Sequence, residues 1–346
     1  VDFETATVTG ATGHLGNVLV RELVRRGKRV RALVLPDDGA RSLAGLPVEI
    51  VRGDVTRPAS LPPAFGGAEV VFHLAGVVSI SSLDDARVHA VNAEGTRNVV
   101  AACRAAGVRR LVHTGSVHSL VEPGPGEVLD ESAGFDPSRS VGAYGRSKAE
   151  GALAVAEAAR SGLDAVLVLP VAVIGPFDYR LSAIGELIAL FARRLLPAIV
   201  DGGYDFVDVR DVALGQLSAC ERGRRGESYL LTGGHLKIRE LMRILAGAAG
   251  RRPPRVALPL PVAAAIARLA PAFERLTGKR ALVTPYSVHT LSMPFRIDGR
   301  RARAELGFDP MPLERSLADA WRWMTADPDS PLRRRASRVP LRPEDP

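Results

Sequence analysis

The chain of 346 residues holds 34 Gly, 25 Pro, 46% hydrophobic and 24% charged residues, which excludes collagen-like, mucin-like and acidic disordered classes. The length fits one large two-part fold or two domains. The net charge of +8 comes from arginines spread among Asp and Glu, and aromatics make up only 5%, so no nucleic-acid partner is expected.

In chain order, Ala6–Thr9 reads as a strand, followed by a Gly-rich turn, a helix over Leu15–Arg26 and a strand at Arg29–Leu35. Short apolar runs recur at Val48–Val51, Val70–Leu74, Arg110–His113 and Ala165–Leu169. Helical periodicity covers Asp85–Ala106 and Tyr144–Ala159. Strands alternating with helices predict an α/β fold with a Rossmann-type, doubly wound parallel sheet. After Pro176 the rhythm changes. Helices are expected over Leu181–Arg194, Asp211–Arg222, Ile238–Ala249, Val262–Leu276 and Leu313–Met324, with a strand at Phe206–Val209 and a further segment at Ile297–Leu306. The apolar, Ala-rich stretch Val262–Leu276 is expected to line a substrate cleft or pack between domains.

The expected division is a nucleotide-binding domain over 1–175, rejoined by 206–232. A smaller, mixed substrate lobe covers 176–326, and a Pro/Arg-rich tail over 327–346 is poorly ordered or wraps the surface. Cys103 and Cys220, far apart, cannot by themselves build a disulfide framework or thiolate metal cluster, and point to a reducing, cytoplasmic setting. The first 30 residues lack the layout of a signal peptide. The longest apolar stretch, Ala165–Ile174, is interrupted by Pro170 and falls short of the roughly 20 residues that cross a bilayer, so no membrane insertion is expected. The scattered histidines offer no metal site.

The strongest local signal is Thr9-Gly10-Ala11-Thr12-Gly13-His14-Leu15-Gly16, after a strand and opening a helix. Gly10 permits the tight turn, Gly13 lets the backbone approach a pyrophosphate, and Gly16 lets helix and strand pack closely. A second signal is Tyr144 with Lys148, one helical turn apart and on one face. A phenol is a poor base at its reference pKa of roughly 10, and a neighbouring ammonium favours the phenolate. Such a pair serves as acid and base for a carbonyl/alcohol couple. Ser116, after His113-Thr114, is placed to donate to a carbonyl oxygen as charge develops there.

The glycine spacing, followed by Ser116, Tyr144 and Lys148, resembles the extended branch of the short-chain dehydrogenase/reductase superfamily, the NAD-dependent epimerase/dehydratase family. The resemblance runs over about residues 5–325 and includes Asn92, Gly175-Pro176, Phe206–Ala213, Arg296-Ile297-Asp298 and Ala304–Gly307. It implies a catalytic triad of Ser116, Tyr144 and Lys148, with Lys148 also on the nicotinamide ribose. It implies cofactor contacts from Gly10, Thr12, Gly13, His14, Leu15, Gly16, Asp54, Val55, Leu74, Ala75, Gly76, Pro170 and Val173. Asp54 would meet the adenine amino edge, and His73 is structural. At the ribose end of the second strand stand Val34 and Leu35, neither the Asp of NAD-specific relatives nor the Arg of NADP-preferring ones. Arg31 points away, Arg41 is a candidate phosphate contact, and the basic surroundings lean to NADP over NAD. The resemblance also allows a homodimer through the helices at Asp85–Ala106 and Tyr144–Ala159.

The frame does not choose the reaction. Val117 and His118 stand where dehydratases carry an acidic pair. The loop Pro170–Ile174 has no Asn for a nucleotide diphosphate, and Leu169 replaces a common Arg. With apolar residues in the substrate lobe, this favours members like dihydroflavonol reductase or 3β-hydroxysteroid dehydrogenase. The expected function is reduction of a ketone or aldehyde on a moderately apolar small molecule. The alternatives are a nucleotide-sugar epimerase with bound NAD, or a catalytically silent NAD(P)-binding sensor.

Overall fold

The computed structural model describes residues 1–78, 85–277 and 281–336. The first half runs β1 (Thr5–Thr9), α1 (His14–Arg25), β2 (Arg29–Val34), β3 (Glu49–Arg52), α2 (Pro62–Phe65), β4 (Val70–His73), α3 (Asp85–His89), α4 (Gly95–Ala105), β5 (Arg110–Thr114), β6 (Val128–Leu129), α5 (Gly142–Arg160), β7 (Ala165–Pro170) and β8 (Ala172–Ile174). The second runs α6 (Ala183–Ala192), β9 (Ala198–Val200), β10 (Gly203–Asp208), α7 (Val209–Arg222), β11 (Ser228–Leu231), β12 (Gly234–Lys237), α8 (Ile238–Ala248), β13 (Val256–Leu258), α9 (Leu260–Ala267), α10 (Ala270–Thr277), α11 (Pro285–Leu291), β14 (Arg296–Ile297), α12 (Leu313–Ala326) and α13 (Pro331–Ala336).

Seven strands make one parallel sheet in the order β11-β7-β5-β4-β1-β2-β3. Its strands read as apolar runs because helices cover both faces: Val70, Val71, Phe72, Leu111, Val112 and Ala165 to Leu169 are all buried. Helix α1 turns Gly16, Leu19, Val20 and Leu23 inward. The strand order reverses between β1 and β4, where Thr9 pairs with both Leu33 and His73. Ligands of open α/β sheets sit outside the carboxyl ends of strands at such a switch point. The glycine loop, Leu74–Gly76 and Ser116 all follow strand ends on this side. A smaller mixed sheet, β12-β10-β8, joins antiparallel and parallel pairs. This is the Rossmann-type fold with a smaller mixed lobe that the residue pattern predicts.

Two local expectations need correction. The stretch Asp85–Ala106 is not one regular helix, because a π-helical turn over Ala90–Glu94 joins α3 to α4. The stretch Val262–Leu276 is two helices, since Pro271 lacks an N–H and its ring collides with the carbonyl of a continuing helix. In the tail, α13 forms a helical turn after Ser330, whose buried hydroxyl donates to the Met324 carbonyl at 2.7 Å. Positions 337–346 lie outside the described residues. Among the described residues no helix is long and apolar enough to cross a membrane.

Candidate active site

The glycine loop is closed by backbone packing. Gly10 has φ +66°, and a Cβ there would lie 2.6 Å from the Ala75 nitrogen. A Cβ on Gly16 would collide with the Gly10 carbonyl. Gly13 precedes α1 without a side-chain cap, so the first N–H groups of that helix open into the cleft. This is a cradle for a pyrophosphate, and NAD(P) fits the residues present. Leu15 packs against the core. Leu74 and Ala75 donate their N–H groups to Thr9 Oγ1 at 3.2 and 3.1 Å. A Cβ on Gly76 would stand 3.2 Å from Lys148 Nζ and 3.1 Å from Asn92 Oδ1, so the glycine leaves space beside both.

At the ends of β2 and β3, Asp54 Oδ1 accepts the Thr56 N–H at 2.8 Å in a local turn, and Val55 is buried against Gly95. Arg31 turns to Glu49 and to the Ala64 and Gly66 carbonyls, away from the loop. Arg41 is exposed in the turn after β2. Sequence reasoning missed the residues that organise this edge. Thr12 Oγ1 donates to Asp38 Oδ2 at 2.6 Å, and Arg180 pairs with the same carboxylate. Arg52 donates to the Leu35 carbonyl at 3.0 Å and to the Asp38 carbonyl. Arg180 belongs to the segment after β8, which lies across α1. His14 Nε2 meets the Pro176 carbonyl at 3.0 Å, and Asn17 Nδ2 donates to the Phe177 carbonyl at 3.1 Å. Pro170 ends β7 opposite Leu231, and Val173 pairs with Val207 in the smaller sheet.

Ser116, Tyr144 and Lys148 converge at the ends of β5 and α5, all buried. Lys148 Nζ donates to the Thr114 carbonyl at 3.0 Å, and burial pushes the ammonium down to about 8. Burial raises the Tyr144 phenol above its ordinary value, and a hydrogen bond with Ser116 acts the other way. The expectation that Lys148 holds this phenol low is therefore not met. One of the three ammonium N–H groups goes to the Thr114 carbonyl, and desolvation of the phenol prevails. Asn92, on the π-helical turn, braces the floor: its amide bonds Val77 N and O at 2.8 and 2.9 Å, and Ser147 Oγ at 3.1 Å.

His73 is structural, as expected. Its ring meets Thr9 Oγ1 at 2.7 Å and Thr96 Oγ1 at 3.0 Å, and burial lowers it to about 3. His118 faces the site. Its ring stacks on Tyr204 at 5.7 Å and 9°, and lies 6.1 Å from Tyr144 and 5.4 Å from Tyr286. Tyr286 stands edge-on to Tyr144 at 6.3 Å, and its buried hydroxyl has no partner among the described residues. The only advance signal for Tyr204 and Tyr286 was scarcity, since the chain has just 5 tyrosines. Among the described residues no three His, Cys, Asp or Glu side chains gather as metal ligands.

The fold and this site define an NAD(P)-dependent enzyme of the oxidoreductase/epimerase type. The NAD dependent epimerase/dehydratase family matches residues 6–232, and the chain belongs to that family. It is 39% identical to "Sterol demethylase protein B" of Methylococcus capsulatus over 92% of this chain and 98% of that protein. It is 31% identical to the 4-hydroxy-2-methyl-3-oxo-4-farnesyl-3,4-dihydroquinoline-1-oxide ketoreductase of Stigmatella aurantiaca, over 87% and 90%. The crystal structure of PA4631, a nucleoside-diphosphate-sugar epimerase from Pseudomonas aeruginosa, superimposes with a TM-score of 0.76 at 26% identity, covering 95% of this chain and all of that one. Taken together, the comparisons back the epimerase alternative better than reduction of an apolar carbonyl, and they single out neither a dihydroflavonol reductase nor a 3β-hydroxysteroid dehydrogenase.

Proposed function

We propose that the chain catalyses reversible hydride transfer between NAD(P) and the carbonyl/alcohol carbon of a moderately apolar small molecule. The observation that carries this reading is the wall facing Tyr144. It is built from the rings of His118, Tyr204 and Tyr286, and the charged neighbours acting on those rings are Glu122, Asp205 and His289. His118 is lowered to about 4 by burial, so the wall is neutral at pH 7. A nucleotide diphosphate brought there would meet a Glu122 carboxylate already paired with His289 Nε2 at 3.0 Å, and no Arg or Lys is among the groups acting on the three rings.

Gly10, Thr12, Gly13, His14, Leu15 and Gly16 would hold the pyrophosphate, Asp54 and Val55 the adenine, and Leu74, Ala75, Gly76, Pro170 and Val173 the nicotinamide side. The bound cofactor supplies or accepts the hydride. In reduction, Ser116 Oγ donates to the substrate oxygen, and the Tyr144 hydroxyl gives that oxygen its proton. A phenol raised by burial is fully protonated at neutral pH, which suits the donor role. Lys148, fixed on Thr114, holds positive charge beside Gly76. NADP is the favoured cofactor: Asp38 is neutralised by Arg180, while Arg41 and Arg52 stand at the ribose edge.

A second reading, epimerisation of a nucleotide sugar with NAD retained, is supported by the family description and the Pseudomonas aeruginosa structure. A matched panel separates the two. NADH and NADPH are each offered with ketones, aldehydes and oxidised steroids at 340 nm, and nucleotide sugars are assayed for epimers. Carbonyl-dependent consumption of NADPH is the expected result. Epimer formation with retained NAD and no carbonyl turnover would replace the proposal with the second reading.

A further inference from the structure

Beyond the reaction, we propose that the face formed by α9 and α10 docks on a lipid bilayer bearing anionic headgroups. The two helices are amphipathic the wrong way round for a soluble surface. Ala263 and Ala267 pack inward on Val200 and Val288, and Ala270 and Glu274 are also buried. The large apolar side chains face out: Val262 is 46% exposed, Ile266 44%, Leu269 67%, Phe273 45% and Leu276 87%. Val262 and Ile266 stand four apart on α9, and Phe273 and Leu276 three apart on α10, with Leu269 in the link between the two helices. Single exposed apolar residues are ordinary, but five large ones on two consecutive helices and their link mark a surface that is covered in use.

The charges beside the stripe identify what covers it. Arg268 and Arg275 are exposed on the same two helices. Immediately upstream, Arg252 and Arg255 join Arg239 and Arg243 around a groove of about 350 Å³. Lys237 lies in the adjoining cavity of about 420 Å³, together with Asp201 and Glu240. Of the groove arginines, Arg239 has a loose contact with Asp201 at 3.4 Å. Strand β13 leads from Arg255 directly into α9 and exposes Val256 on the way. The small β9–β13 sheet links the groove and the stripe: Val200 of β9 packs under α9, Asp201, the next residue, lines the adjoining cavity, and Arg239 and Arg243 line both that cavity and the groove. An apolar helical face bordered by arginines is the pattern of an element lying in a membrane interface, with the apolar side chains among the acyl chains and the guanidinium groups at phosphates. A second copy of this chain fits poorly, since a symmetric contact would bring the same arginines together. Helix α9 also packs on α11, which carries Tyr286 into the active site, so the docked face is one helix layer from the substrate wall.

The test is vesicle flotation with the full chain, which needs no turnover and stands apart from the proposed reaction. The probes are phosphatidylcholine vesicles with and without phosphatidylglycerol, at low and high salt. The expected result is binding to the phosphatidylglycerol vesicles that weakens with salt. Each arginine at an anionic surface is worth about five-fold in partitioning, so Arg252→Glu with Arg255→Glu should weaken binding at least that much. Leu269→Glu with Phe273→Glu should abolish it. These are exposed positions, and unchanged circular dichroism and melting would show that the variants fold. Absence of binding by the unaltered chain at low salt, or equal binding by the folded variants, would overturn the proposal. So would a dimer that the Leu269/Phe273 variant turns into a monomer, which would make the stripe a self-interface.

Discussion

The hydroxyl of Tyr204 and Nε2 of His118 lie 2.9 Å apart, and the two rings stack within 9° of parallel. Burial lowers the imidazole to about 4 and raises the phenol well above its usual range, so at neutral pH both groups are uncharged and share one hydrogen bond. Two residues far apart in sequence are thereby locked into one wall of the site.

Replacing Tyr204 by Phe leaves His118 Nε2 buried without its partner. An unsatisfied buried polar group costs about 1–3 kcal/mol, and a thermal or urea denaturation should register a loss in that range. KM should rise with little change in NADPH binding, measured by fluorescence titration.

Tyr286→Phe provides the contrast. Its hydroxyl has no protein partner, so removing it should leave the melting temperature unchanged or slightly higher. The effect should appear instead in substrate choice. Substrates with a polar group near the reacting carbonyl should lose kcat/KM, while plain hydrocarbons flanking that carbonyl should not. An equal loss for both kinds would remove Tyr286 from the specificity wall.

The pH profile of reduction should show an alkaline limb near 8. Burial places the Lys148 ammonium there, so its charge is present below about pH 8 and lost as pH rises through that value. Tyr144 is raised and keeps its proton through the same range. Lys148→Met should lower activity and erase the limb, whereas a limb that persists in that variant would belong to another group.

Acid stability follows from the buried imidazoles. His73 is lowered to about 3, His118 to about 4, and His113 well below the ordinary value, chiefly by burial. A lowered histidine pKa leaves stability untouched above about 6.5. Below it the unfolded chain takes up protons that the folded chain refuses, so each such group costs about 1.4 kcal/mol per pH unit until its folded pKa is reached. Both ring nitrogens of His113 lack partners. His113→Leu should therefore hold stability at pH 7 and flatten the acid limb, as read by urea denaturation at several pH values.

The glycine loop was legible because it is local, Gly10 to Gly16 running from the end of β1 into α1, and Tyr144 with Lys148 because one face of α5 carries both, whereas Ser116 comes from a separate element. The parallel sheet was legible because burial on both faces writes continuous apolar runs. The aromatic wall was not, since His118, Tyr204 and Tyr286 come from three separate elements and meet only after folding. The Asp38–Arg180 pair joins the end of β2 to the segment after β8, and no spacing rule links them. The break in Val262–Leu276 was written in Pro271, but alanine periodicity on both sides masks it. Its outward apolar stripe reverses the usual meaning of that periodicity, which shows a face without saying which side is wet. The π-helical turn at Asn92 places an amide under Val77 and Ser147, a long-range demand that helix propensity does not report.

The most direct measurement compares the unaltered chain with Tyr144→Phe in carbonyl-dependent oxidation of NADPH at 340 nm, with cofactor affinity measured alongside. Loss of a positioned general acid typically costs about 10²–10⁴-fold. A fall in kcat within that range, unchanged NADPH affinity and an intact fold are expected. A variant that reduces the same carbonyl at the rate of the unaltered chain would contradict the assignment of Tyr144, and with it the proposed hydride transfer.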